Sequence, residues 1–172
     1  MKITVVGTGY VGLVTGVCFA DLGNFVTCVD INPSKLSILK RGEVPFYEPG
    51  LSEKMTRNFE AKRLVFTDNL AETLSDATVI FIAVGTPPAA DGSADLTAVM
   101  SVAQSVIDWV ETATDDTPRA LVTKSTVPVG TGQKIQGLVD QKGLSSRIKV
   151  VSNPEFLREG SAVQDFFQPD RI

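Results

Sequence analysis

Two sets of residues in this chain have types and spacings suited to chemistry. The first is a run of glycines. Gly7, Gly9 and Gly12 form a G-x-G-x-x-G directly behind the β-branched run Ile3-Thr4-Val5-Val6. In that pattern the first glycine permits a tight turn and the second lets the backbone approach a pyrophosphate. The third lets a helix pack close to a strand. The helix that follows would offer its free N–H groups and its dipole to the anion. A second apolar run, Phe25-Val26-Thr27-Cys28-Val29, ends in Asp30, eighteen residues after Gly12. An acid there holds the hydroxyls of an adenosine ribose and repels a 2′-phosphate, so the two motifs together point to NAD rather than NADP. Lys35 reads either as a solvated helix lysine or as a cation that softens that repulsion.

The second set is polar. Thr126, in Lys124-Ser125-Thr126-Val127-Pro128, and Glu155, in Asn153-Pro154-Glu155, each follow an apolar run. A hydroxyl and a carboxylate on neighbouring strand-end loops suit the activation of a water. Thr126 also reads as a helix cap, Glu155 as a loop acid, and Arg158 as a solvated arginine. The chain has no histidine, so a histidine base cannot come from it. Its two cysteines, Cys18 and Cys28, lie among apolar neighbours at a spacing that fits no metal site. They read as buried, inert thiols.

Elements must position these groups. Thr78-Val79-Ile80-Phe81-Ile82-Ala83-Val84 is a continuous apolar run, the pattern of a strand covered on both faces of a parallel sheet. Shorter strands are expected at 63–67, 120–123 and 148–151. Helices are expected over 13–22, over 33–41 behind the cap Asn32, over 51–61, over 70–74, over 95–113, and from about 133 to 141 or 142. Strands alternate with helices, which gives an α/β fold: a Rossmann-type, doubly wound, mostly parallel sheet with helices on both faces, one domain over residues 1–172. In such sheets ligands collect outside the carboxyl ends of the strands. The unusual segments Gly7–Gly12, Gly85–Pro88, Lys124–Thr131 and Asn153–Gly160 all fall there.

Composition excludes some partners. The net charge of −4 leaves no basic footprint for nucleic acid. No apolar run approaches the roughly 20 residues that span a bilayer. The N-terminus enters a glycine-broken strand at once, unlike a signal peptide, and a cytoplasmic location is the default expectation.

Five segments in order carry a resemblance: Gly7-Thr8-Gly9-Tyr10-Val11-Gly12, Pro45-Phe46-Tyr47-Glu48-Pro49-Gly50-Leu51, Val84-Gly85-Thr86-Pro87, Lys124 to Thr131, and Asn153 to Gly160. Together they closely resemble the N-terminal part of the UDP-glucose/GDP-mannose dehydrogenase family. Tyr47 and the form of the Glu155–Gly160 motif look more like the UDP-glucose branch than the others. The resemblance covers the whole chain. It implies oxidation of a nucleotide-sugar C6 alcohol to a carboxylate by two hydride transfers to two NAD+, with a cysteine thiolate holding the intermediate. It also implies that Tyr10, Val11, Asp30 and Lys35 contact NAD, that Thr86 lies near its ribose, and that Thr126 lies by the cofactor and helps position a water. Glu155 would assist proton transfer or thioester hydrolysis. Phe156, Leu157 and Arg158, with Glu155, would line the UDP-sugar site, and Glu159 would meet cofactor and substrate. The family's catalytic cysteine and lysine lie beyond residue 172, so the expectation is a cofactor domain of a longer, homodimeric enzyme, inactive by itself.

Overall fold

The computed structural model describes residues 1–170; Arg171 and Ile172, at the end of the expected tail, lie outside the described residues. Six strands form one sheet: β1 (Lys2–Val6), β2 (Phe25–Val29), β3 (Leu64–Thr67), β4 (Val79–Ile82), β5 (Arg119–Thr123) and β6 (Ile148–Ser152). Their order is β3-β2-β1-β4-β5-β6, and every neighbouring pair is parallel. The helices are α1 (Tyr10–Asp21), α2 (Pro33–Leu39), α3 (Leu51–Glu60), α4 (Leu70–Leu74), α5 (Thr97–Thr112), α6 (Thr131–Gln141) and α7 (Ala162–Phe167).

The alternation of side chains along each strand divides the core in two. Along β4, Ile80 and Ile82 join Val106 and Ile107 of α5 and Ile135 of α6 on one face. Phe81 joins Leu13, Val17 and Met55 of α1 and α3 on the other. Helix α1 is buried nearly all round, with Gly12 through Cys18 and Ala20 inside, because the sheet, α3 and α7 enclose it. That explains its weakly amphipathic sequence. At its far end Asp21 accepts from Lys54 Nζ (2.7 Å) and Asn58 Nδ2 (3.0 Å), and pairs with Arg57, which fixes α1 to α3.

Several boundaries differ from the sequence reading by one to three residues, and two of the shifts have a clear local cause. Helix α1 begins at Tyr10, not Leu13, because the chain turns at Gly7 and makes Gly9 the N-cap, which places Gly12 inside the first turn. Helix α5 begins at Thr97. Asp95 stands just outside it, its carboxylate accepting the Thr97 N–H at 2.8 Å. Helix α7 was not expected at all. Its Phe166 ring packs edge-on against Phe19 of α1 at 5.1 Å, closing the sheet face.

Candidate functional site

The strand order reverses between β1 and β4, the point at which sheets of this kind bind ligands outside the carboxyl ends of the strands. Gly7 turns the chain out of β1 with φ of +99°, a conformation that favours glycine. A Cβ on it would stand 2.6 Å from the Ala83 carbonyl oxygen. A Cβ on Gly12 would stand 1.9 Å from the Gly7 carbonyl oxygen. Gly9 is different. Its φ and ψ of −65° and −174° suit any residue, and a Cβ there would meet nothing within 4 Å. Of the three glycines in the motif, Gly9 alone is required by neither its own backbone nor its neighbours, and the space beside it is open. The first α1 bond runs from Leu13 N–H to the Gly9 carbonyl at 2.9 Å, which leaves the N–H groups of Tyr10, Val11 and Gly12 without intrahelical partners at the helix mouth.

Asp30 ends β2 beside this loop and is 9% exposed. Its Oδ2 accepts from Thr8 N–H (2.9 Å), Thr8 Oγ1 (2.5 Å) and Lys35 Nζ (3.0 Å), and its Oδ1 from Asn32 N–H (2.9 Å). Burial alone would raise its pKa. The bonds from Thr8, Asn32 and Lys35 outweigh it and hold the carboxyl down at about 2. Asp30 is thus an anion at any physiological pH. Lys35 is not a free helix lysine, since its ammonium is paired with Asp30. Thr8, between the first two glycines, anchors the acid through both its N–H and its hydroxyl.

On the other side of the strand reversal the loops after β4 and β5 are joined. Thr86 Oγ1 donates to the Thr126 carbonyl at 2.9 Å, and Ser125 Oγ donates to the Val84 carbonyl at 2.6 Å. Thr126 does not cap α6, whose N-cap is Gly130, and Thr126 is exposed. The sheet therefore lines up Gly7–Gly12, Thr86 and Thr126 along adjacent strand ends.

Beyond β6 lies a cleft of about 520 Å³ lined by Lys124, Glu155, Phe156, Leu157, Arg158 and Phe166, among others. Glu155 Oε2 accepts the Leu157 N–H at 2.6 Å. Lys124 Nζ donates to Asn153 Oδ1 at 3.2 Å. Burial lowers its pKa, and the charge of Glu155 opposes that. Arg158 is neither free nor purely solvated. Its Nη2 pairs with Asp165 Oδ1 at 2.5 Å, and that pairing holds the Asp165 carboxyl at about 2. Glu159 is exposed, and its charge acts on the Tyr10 hydroxyl. Tyr10 itself turns its hydroxyl to Glu48 and its ring to Phe46, 5.0 Å away.

The cysteines lie outside both regions. Cys18 and Cys28 are wholly buried, and burial pushes both thiols up to about 12. Two residues escaped the sequence reading. Gly16 lies in mid-helix, where a Cβ would stand 2.5 Å from Cys28 Sγ. Glu48, in the proline loop, is 3% exposed.

A parallel sheet in this order, with a glycine turn at the reversal and an ionised acid at the end of β2, defines a dinucleotide-binding domain. Residues 1–172 match the model of the NAD binding domain of the UDP-glucose/GDP-mannose dehydrogenase family, and the chain belongs to that family. NAD is accordingly its cofactor. A UDP-glucose 6-dehydrogenase of Rhizobium meliloti is 49% identical over 173 residues, covering 100% of this chain and 38% of that protein. The structure of a UDP-glucose dehydrogenase from Pyrobaculum islandicum superposes with a TM-score of 0.89 at 44% identity, over 99% of this chain and 39% of that one. A GDP-mannose dehydrogenase from Pseudomonas aeruginosa also gives 0.89, at 31% identity, over 96% of this chain and 38% of that one. The chain thus spans well under half the length of these relatives.

Proposed function

We propose that this chain is the NAD-binding domain of a UDP-glucose 6-dehydrogenase, which oxidises UDP-glucose to UDP-glucuronate with two NAD+. The observation that carries the reading is the open space at Gly9 beside the ionised Asp30, set at the strand reversal. The higher identity to UDP-glucose 6-dehydrogenases, 49% against 31% for the GDP-mannose enzyme, supports UDP-glucose over related nucleotide sugars. NAD+, when bound, accepts the hydride that leaves carbon 6, once for each of the two oxidations.

In this reading the chain's residues have distinct tasks. The backbone of Gly7, Gly9, Tyr10, Val11 and Gly12 holds the pyrophosphate. Asp30 accepts hydrogen bonds from the ribose hydroxyls, with Lys35 orienting it. Thr86 and Thr126 border the far half of the dinucleotide. Thr126 positions a water and Glu155 receives its proton; the water's oxygen becomes the second carboxylate oxygen of the product as the carbon–sulfur bond of the thioester breaks and the thiol of the enzyme's nucleophile leaves. Phe156, Leu157 and Arg158 form a wall for the UDP-sugar, and Glu159 stands between the two ligands. The nucleophile and the rest of the sugar site belong to a further part of the enzyme, as does the surface of a homodimer. The enzyme works in the cytoplasm, and the domain alone turns nothing over.

The test is an assay of the enzyme at its relatives' full length. Two NADH per UDP-glucose, with GDP-mannose and UDP-N-acetylmannosamine oxidised far more slowly, is the expected result. Faster oxidation of either competitor would move the reading to that branch, and NAD+ binding without oxidation of any of the three would favour a sensor module.

A further inference from the structure

Glu48 is a buried acid to which the tasks above give no part. It lies in the loop Pro45–Gly50 and is 3% exposed. Its Oε2 accepts from the Tyr10 hydroxyl and from Gly160 N–H at 2.8 Å, and its Oε1 accepts from Val163 N–H at 3.4 Å. Those donors stand 38, 112 and 115 residues away in sequence. They belong to the first turn of the dinucleotide helix, the end of the 153–160 segment, and α7. Burial disfavours the charge, but the bonds from Tyr10, Gly160, Val163 and Ala162 prevail and keep the carboxyl below its ordinary range. The Tyr10 hydroxyl moves the other way, raised by burial and by Glu48, so the proton stays on the phenol. Only an acceptor without hydrogens satisfies donors from all three segments at once.

We propose that Glu48 is a positioning residue that couples the dinucleotide loop to the 155–160 segment. This rests on the NAD reading above. Tyr10 is the first residue of α1, where the pyrophosphate would sit. An occupied phosphate site fixes that turn, Tyr10 fixes Glu48, and Glu48 fixes Gly160 and with it the loop that presents Glu155 through Glu159. Cofactor binding therefore orders the wall of the neighbouring cleft.

The experiment is amide hydrogen exchange with NAD+ titration, on the chain, Glu48→Gln and Tyr10→Phe. A carboxamide keeps the size of Glu48 but turns an NH2 group toward a donor. Phenylalanine keeps the ring on Phe46 and removes only the hydroxyl. Thermal melts set a temperature at which every variant is folded. The unmodified chain should show NAD+ slowing exchange at Leu157–Gly160 by about tenfold, a typical coupling between linked sites. Both variants should lose that protection, and the double variant should lose no more than either single one. Protection that persists in either variant would leave Glu48 a plain structural acid and overturn the coupling. Protection absent from an unmodified chain that still binds NAD+ would overturn the coupling alone. A chain that binds no NAD+ would overturn the cofactor reading as well.

Discussion

The Cβ that Gly12 lacks would fall 1.9 Å from the carbonyl oxygen of Gly7. The first and third glycines of the motif therefore exist for each other: one makes the turn, and the other lets the helix close onto it. The second glycine serves neither purpose. Gly9→Val should leave a chain that melts within a few degrees of the parent, because its backbone is in a region open to valine. It should show no NAD+ heat in calorimetry, because the side chain fills the phosphate's place. Gly12→Ala should instead lower the melting temperature or abolish folding. Parent-like NAD+ affinity in Gly9→Val would place the phosphates elsewhere.

Asp30 and Asp21 predict how stability responds to acid. Both folded pKa values are about 2, below the ordinary 3.8. A depressed carboxylate stabilises the fold above its unfolded pKa and loses that contribution as pH falls through the folded one. Each contributes on the order of 2 kcal/mol. Denaturant midpoints should therefore hold level from pH 7 to about 5, then fall steeply between about 4 and 2. Asp30→Asn should flatten part of that fall. An unchanged acid limb in Asp30→Asn would mean that its bonds to Thr8 and Lys35 do not form in solution.

The thiols should be silent. With both pKa values pushed up to about 12 and both side chains buried, iodoacetamide at pH 8 should label Cys18 and Cys28 at least about 100-fold more slowly in the native chain than in guanidinium, because the reactive thiolate is nearly absent. Fast native labelling of either would show α1 opening readily from the sheet.

In the full-length enzyme, Glu155→Gln should slow release of the sugar acid. Gln fills the same space but cannot take a proton, and placed acid–base groups contribute roughly 10²–10⁴-fold in rate. Covalent enzyme should then accumulate in quenched samples weighed by mass spectrometry, with NAD+ affinity little changed. Thr126→Ala should give a milder defect, since a water can replace the hydroxyl. Unchanged turnover in Glu155→Gln would reduce Glu155 to the cap of its own turn, which is all its bond to Leu157 N–H requires.

The strands and most helices were legible because this fold writes them locally. Apolar runs covered on both faces mark β1, β2 and β4, and Asn32 and Asn69 cap α2 and α4 through their own side chains. Asp30 was legible because its distance from the glycine turn is set by one strand–helix–strand unit. What escaped depends on distant partners. Glu48 looks like any acid in a proline-rich loop, and its burial comes from donors more than a hundred residues on. Helix α7 has six residues and follows a glycine, so its phenylalanines read as tail until Phe19 is seen against them. Gly16 belongs to no motif, and only the Cys28 sulfur across the helix–sheet gap explains it.

In the proposed function this edge of the sheet binds NAD, with Asp30 at the adenosine ribose. Titration calorimetry of the chain with NAD+ and NADP+ is the sharpest test of that placement. Asp30 is ionised and already paired with Lys35, so that lysine is not free to receive a 2′-phosphate. NAD+ should bind at least about tenfold more tightly, a modest penalty for two like charges near a protein surface. Asp30→Ala should weaken NAD+ and narrow the gap. Equal or tighter binding of NADP+, or NAD+ affinity untouched by Asp30→Ala, would remove Asp30 from the ribose.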